Sequence, residues 1–213
     1  MALKDYDTAL VTGASSGIGA SVVRALTAAG KTVHALARRE DRLQQLADET
    51  GCITHVVDLR DQEALYETIG GIDVDILVNN AGLGRGFEDF SVTPAADIDV
   101  TIQVNVLAAL HVVRACLGGM KERSRGHIFN IGSVAGLYPV NSTVYGASKG
   151  AVHMMSQNLR VELAGSGIRV TEICPGRIET EFFETAFDDK QAKEKFTKGF
   201  EIMQPEDIAD AIM

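Results

Sequence analysis

Cysteine is scarce in this chain. Cys52, Cys116 and Cys174 are the only three in 213 residues, odd in number and scattered. That excludes a disulfide-stapled scaffold and fits reduced thiols in a cytoplasmic protein. Basic charge is in deficit, with 20 Lys+Arg against 29 Asp+Glu and a net charge of -9. Nucleic acid is therefore not an expected partner, because a phosphate backbone is held by a broad excess of cations. No uninterrupted apolar run approaches the roughly 20 residues of a membrane span, so no membrane partner is expected. The N-terminus, MALKDYDTALVTG, lacks the apolar stretch of a signal peptide. The five histidines show no ligand spacing beside a carboxylate, and no metal site is expected.

What is present is a regular alternation of short apolar runs and amphipathic segments. The spacing predicts strands over 8–12, 31–37, 53–57, 76–78, 127–131 and 169–173. Helices are predicted over 18–29, 40–49, 61–69, 141–163 and from Pro205 onward. A long helix is predicted from Thr93-Pro94, read as N-cap and first helical position, to Lys121. Strands this apolar cannot face water, so the fold class is α/β: a parallel sheet covered by helices on both faces. No repeat or linker divides residues 1–213, which read as a single domain.

The first strand runs straight into Gly13-Ala-Ser15-Ser16-Gly17-Ile18-Gly19 and then a helix. Strand, glycine-rich turn and helix together present backbone N–H groups to a phosphate. The same residues also match G-x-S-x-G, the nucleophile elbow of serine hydrolases, which needs an acid and then a histidine downstream. His111, His127 and His153 are available for that, but no earlier loop precedes the turn to supply an oxyanion hole. The second strand ends without the acidic residue that would bind a ribose. Arg38 and Arg39 stand there instead, and paired guanidiniums suit a 2′-phosphate, so NADP is preferred to NAD. Asp58-Leu59 follow the third strand, and Asn79-Asn80-Ala81-Gly82 follow the fourth, at the strand ends where open parallel sheets bind ligands. Arg85 sits in the glycine-rich loop beyond.

Tyr145 and Lys149 stand four apart on one helix and so share a face. A neighbouring ammonium favours phenolate and is expected to pull the tyrosine pKa down from about 10, poising it for proton transfer. Ser133 closes the fifth strand. Asn105 is a buried-looking amide inside the long helix, either a packing hydrogen bond or a proton-relay member. The charged stretch Glu181 to Glu201 leaves a strand end and is a candidate lid.

Taken together, these residues resemble the short-chain dehydrogenase/reductase family. Thr12-Gly13-x-x-x-Gly17-x-Gly19, Asn79-Asn80-Ala81-Gly82, Asn105, Ser133, Tyr145-x-x-x-Lys149 and Pro175-Gly176 with Thr180 fall in the family's order across most of the chain. The resemblance implies a Rossmann-like, doubly wound, three-layer α/β/α fold, with residues 1–213 a single dinucleotide-binding catalytic domain, and implies that Tyr145 is the general acid/base. It also implies that Lys149 binds the nicotinamide ribose and lowers the tyrosine pKa, that Ser133 orients the substrate oxygen, and that Asn105 holds a water in a relay. It places Gly13, Ser15, Ser16, Gly17, Ile18, Gly19, Arg38, Arg39, Asp58, Leu59, Asn80, Ala81, Gly82, Pro175, Gly176, Ile178 and Thr180 around the cofactor. A homodimer or homotetramer is implied, paired through the long helices around Asn105 and Tyr145. Asn130 to Lys149 (NIGSVAGLYPVNSTVYGASK) and Asn158 to Gly176 (NLRVELAGSGIRVTEICPG) are similar to the NADP-dependent 3-hydroxy acid (serine) dehydrogenase branch, a look that sulfoacetaldehyde-type reductases share. By that standard the last strand and tail are expected to be missing after Met213. The small alcohol would meet Ser133 and Tyr145, with Arg85 or Arg177 as an anion anchor and Tyr138, Val134, Leu137, Val140 and Asn141 as pocket wall. A cofactor-binding regulator on an inactive scaffold is the alternative of a different class.

Overall fold

The computed structural model describes residues 3–182, 186, 199 and 201–213. Strands β1 (Thr8–Thr12), β2 (Thr32–Ala37), β3 (Ile53–Val56), β4 (Ile76–Asn79), β5 (Gly126–Ile131) and β6 (Ile168–Ile173) form one sheet in the order β3-β2-β1-β4-β5-β6. Every neighbouring pair is parallel. The helices are α1 (Gly17–Ala28), α2 (Glu40–Thr50), α3 (Gln62–Gly70), α4 (Ala95–Ile102), α5 (Ala109–Glu122), α6 (Thr143–Glu162) and α7 (Pro205–Ile212).

Strand residues alternate between the two faces, and both faces are covered. Ala9, Val11, Ala35, Ile76 and Val78 pack on one side with Val22, Val23 and Leu26 of α1, Leu43 and Leu46 of α2, and Ile208 and Ile212 of α7. Leu10, Leu36, Leu77 and Ile128 pack on the other with Leu65 and Ile69 of α3, Val112, Cys116 and Met120 of α5, and Leu159 of α6. The Rossmann-like, doubly wound α/β fold expected from the sequence is present. The strand order reverses between β1 and β4, which opens a crevice at their carboxyl ends.

The long helix predicted from Thr93 to Lys121 is interrupted. Pro94 is its N-cap rather than its first turn, and between α4 and α5 the backbone widens to a π-helix over Gln103–Ala108. Asn105 lies inside that widened turn, where its side chain is pulled toward the loop after β4. Ala95–Glu122 as a whole is also long and apolar enough to cross a membrane by length and composition, with 39% of its most apolar window buried. Thr101, Gln103, Asn105 and His111 break the apolar run without making the stretch polar. Most of the stretch expected as a lid lies outside the described residues, but Glu181 and Phe182 are within them.

Candidate active site

Thr12, fully buried at the end of β1, ties the crevice together. Its Oγ1 accepts from the backbone N–H groups of Asn80 and Ala81, both at 3.0 Å, and the Asn80 Nδ2 donates back to the Thr12 carbonyl at 2.9 Å. The glycine-rich turn lies against this joint. A Cβ on Gly19 would sit 2.3 Å from the Gly13 carbonyl oxygen, so only glycine lets α1 approach the strand here. Gly17 has φ +51, the left-handed region, with Thr180 packed directly above it. Ser16 is the N-cap of α1 yet makes no cap hydrogen bond with its side chain, which leaves first-turn N–H groups uncapped by that hydroxyl and available to an anion.

The two arginines after β2 diverge. The Arg39 guanidinium turns onto the glycine-rich turn, donating to Ser16 Oγ at 2.6 Å and to Ser15 Oγ at 3.0 and 3.1 Å. Arg38 is more exposed and lies 4.0 Å from Asp58, whose main partner is Arg60. The Arg60 hydrogen bonds hold the Asp58 carboxyl below its usual range. Leu59 is buried beside it. On the far side of the groove, Val134 donates its N–H to the Pro175 carbonyl at 3.0 Å. Gly176 is exposed, Ile178 is buried, and Thr180 reaches Gly17. The residues predicted to surround a dinucleotide therefore follow the carboxyl ends of β1, β2, β3, β4 and β6, with Leu59 and Ile178 buried among them.

At its centre stand the chemical groups. Ser142 caps α6, its Oγ accepting from the Tyr145 N–H at 3.3 Å and donating to the Gly86 carbonyl at 3.1 Å. Tyr145 thus stands in the first turn of α6, and the Ser133 side chain, just beyond the end of β5, acts on its phenol to favour the ionised form. Lys149, one turn on, is buried and donates to the Ile131 carbonyl at 2.9 Å. Its Nζ lies 5.9 Å from the centre of the Tyr145 ring. A Cβ on Gly82 would come within 3.3 Å of Asn105 Oδ1 and 3.6 Å of Lys149 Nζ, so the floor beside the lysine is bare backbone. Asn105 accepts from Leu83 N at 2.9 Å and donates to Leu83 O at 2.8 Å and Ser148 Oγ at 3.0 Å. Its amide anchors the loop that carries Arg85 and Phe87.

The expected direction of the tyrosine pKa is not found. Burial pushes the phenol up to about 12, and the Ser133 hydrogen bond only partly opposes this. The rings of Phe87 and Phe182 stand 5.5 and 5.3 Å from that of Tyr145 and shield it, while Lys149 is directed to Ile131. Burial brings Lys149 down to about 8, with Glu172 and then Cys174 opposing, so it is still mostly cationic at neutral pH. Arg85 and Tyr138 are both exposed. Tyr138, Val134, Leu137 and Val140 form an apolar rim open to solvent beside Ser133.

Ser15 has no nucleophile's environment. A guanidinium donates to its hydroxyl, and the three histidines weighed as bases are engaged elsewhere: His111 with Tyr66, His127 with Thr171 and His153 with Glu172. Among the described residues no group of three or more His, Cys, Asp or Glu could hold a metal ion. Ser148, Arg42 and Glu181 join this neighbourhood without a sequence motif to mark them. Arg42 carried a signal, a cation in the first turn of a helix, where the macrodipole favours acids.

This sheet order with serine, tyrosine and lysine converging at its carboxyl edge defines a class. A profile of the short chain dehydrogenase family matches residues 7–191, and the chain belongs to that family. It is 44% identical to the uncharacterized short-chain type dehydrogenase/reductase y4eK of Sinorhizobium fredii, over 96% of this chain and 83% of that one. It is 40% identical to the NADP-dependent 3-hydroxy acid dehydrogenase YdfG of Escherichia coli K12, over 95% and 86%. The closed form of a serine dehydrogenase complexed with NADP+ superposes with a TM-score of 0.92 at 39% identity, over 96% of this chain and 87% of that one.

Proposed function

We propose that this protein is an NADP-dependent oxidoreductase that interconverts a small alcohol, of the 3-hydroxy acid class, and its carbonyl compound. The observation that carries the reading is the Tyr145 phenol, coupled to the Ser133 side chain, with Lys149 buried one helical turn on, beside the bare backbone of Gly82 and the uncapped start of α1. The residues present fit a phosphorylated dinucleotide. The Ser15–Ser16–Arg39 cluster suits a 2′-phosphate, and it already holds an anion in the form of the Glu181 carboxylate. When bound, the cofactor supplies the hydride acceptor or donor.

The chain's own residues handle the proton. Ser133 and Tyr145 hold the substrate oxygen between two hydroxyls, and Tyr145 takes the alcohol proton in oxidation or returns it in reduction. Lys149 holds the ribose and, once drawn from Ile131 toward the phenol, favours phenolate. Asn105 fixes the Leu83 backbone and holds a water in a relay from Lys149. Asp58 and Leu59 border the adenine. The apolar rim from Val134 to Val140 forms the pocket wall, with Arg85 or Arg177 as counter-ion for a carboxylate. Residues 1–213 work as one catalytic unit in the cytoplasm.

The same reading includes a homodimer or homotetramer. Leu107 and Leu110, from the π-helix and α5, and Met154 of α6 are each about half exposed on neighbouring helices. A small cleft lined by Val106, Leu110, Ala151, Val152 and Met155 lies between them. A contiguous apolar face of this kind favours burial against a second copy. The activity is tested by nicotinamide absorbance with NADP and NAD in parallel against serine, 3-hydroxypropionate, a sulfonated alcohol and secondary alcohols. Turnover of a 3-hydroxy acid with NADP supports the reading; turnover only of other alcohols overturns the substrate class. Light scattering of the wild type and Leu110→Glu tests the assembly, which is refuted by a wild-type monomer.

A further inference from the structure

An ion cluster that no catalytic step uses sits at the adenosine end of the groove. Glu181 lies just beyond Thr180 on the segment leaving β6, 142 and 139 residues from the arginines it meets. Its Oε2 accepts from Arg39 Nη1 at 2.7 Å and its Oε1 from Arg42 Nη1 at 2.8 Å. The other donors of Arg39 hold Ser15 Oγ and Ser16 Oγ. Two guanidiniums thus converge on one carboxylate, with two hydroxyls bound to the first of them, and the Arg39 and Arg42 hydrogen bonds lower the carboxyl pKa. Its chain neighbours reach into the groove: the Thr180 side chain covers Gly17, and the Phe182 ring lies against Gly84, 5.3 Å from the Tyr145 ring and 6.3 Å from that of Phe87.

We propose that Glu181 is an internal stand-in for the cofactor's 2′-phosphate. It occupies the anion site built by Ser15, Ser16, Arg39 and Arg42 and ties Thr180–Phe182 across the groove, so that NADP(H) binding exchanges carboxylate for phosphate and frees Phe182 from Tyr145. The proposal rests on the NADP reading above and adds Arg42 to the phosphate contacts. The exchange is obligatory because a phosphomonoester carries close to two negative charges at neutral pH. It cannot share two guanidiniums with a carboxylate at hydrogen-bonding distance without strong like-charge repulsion. The exchange is also selective. NAD(H) presents a hydroxyl at that position and makes no demand on Arg39 or Arg42, so it leaves Glu181 in place. Glu181 therefore weakens binding of the phosphorylated cofactor alone and couples its arrival to uncovering of the phenol.

The test is cofactor binding, read by fluorescence of NADPH and NADH titrated with wild type, Glu181→Gln and Arg42→Gln, each first checked for native circular dichroism. The ion pairs are partly exposed and individually weak. Glu181→Gln should therefore tighten NADPH by about threefold to tenfold and leave NADH within about twofold, and Arg42→Gln should weaken NADPH alone. The chain has no tryptophan, so Phe182→Trp places a single indole reporter on the segment. Its emission should shift to the red with adenosine 2′,5′-bisphosphate and stay unmoved with 5′-AMP, neither of which carries a nicotinamide to quench it. Equal effects of Glu181→Gln on both cofactors, or none on NADPH, overturn the proposal while leaving the NADP reading intact. Failure of wild type to bind NADPH at all overturns both.

Discussion

His127 makes stability below neutral pH a direct readout of the core. It is 5% exposed in β5, stacked at 3.9 Å on Phe129, with Nε2 2.9 Å from Thr171 Oγ1. Burial, with Arg169 adding like-charge repulsion, brings its pKa from 6.5 down to about 4. Because the folded value lies below the unfolded one, the unfolded chain binds the proton first. The stabilisation is whole above about pH 6.5 and is lost as pH falls toward 4. At roughly 1.36 kcal/mol per unit, about 3 kcal/mol is at stake across the window, and on the order of 2 kcal/mol of it is gone by pH 5. His34 and His55 are displaced in the same direction, also by burial, so wild type alone does not isolate His127. The assay is urea unfolding at pH 7 and pH 5 for wild type and His127→Gln, which keeps a side chain able to reach Thr171 and cannot titrate. The wild type should lose about 2 kcal/mol more than the variant between the two pH values. Parallel losses would refute the reasoning.

Three further outcomes are expected. Lys149→Met should raise the melting temperature while abolishing turnover. Keeping the ammonium charged in its buried site costs stability at all pH values below about 8, and the lost hydrogen bond to Ile131 offsets only part of the gain, leaving roughly 1–2 kcal/mol; a lower melting temperature would count against this. Ser142→Ala should cost about 1–2 kcal/mol in chemical denaturation, because it removes the cap of α6 and leaves the Gly86 carbonyl without its donor. Asn105→Ala should free the loop after β4, seen as faster hydrogen exchange at residues 82–86 with α1 unchanged, since three hydrogen bonds end on that amide.

Local pattern carried most of the architecture. The alternation in β1, with Leu10 on one face and Ala9 and Val11 on the other, follows from a period of two in a strand buried on both sides. The Tyr145–Lys149 spacing likewise needs only helical geometry. What was not legible depends on residues far apart in the chain. The tyrosine pKa rises through burial, and the rings packed on the phenol include Phe87 and Phe182, neither near Tyr145 in sequence. The π-helix at Asn105 depends on Leu83 and Ser148. Of the arginines after β2 only Arg39 joins the anion cluster; its second guanidinium, Arg42, lies in α2, and the anion there, Glu181, comes from beyond the last described strand.

The central claim is that Tyr145 moves the proton in a groove that binds NADP. Tyr145→Phe removes one hydroxyl that contacts Ser133 and leaves the cluster at Ser15, Ser16 and Arg39 untouched. Single-turnover hydride transfer and NADPH titration on the same preparation test it most directly. The account predicts turnover at least about a thousandfold lower, within reach of losing an acid–base group and substrate positioning together, with NADPH affinity within about twofold of wild type. Retained turnover, or loss of NADPH binding in step with activity, would contradict it.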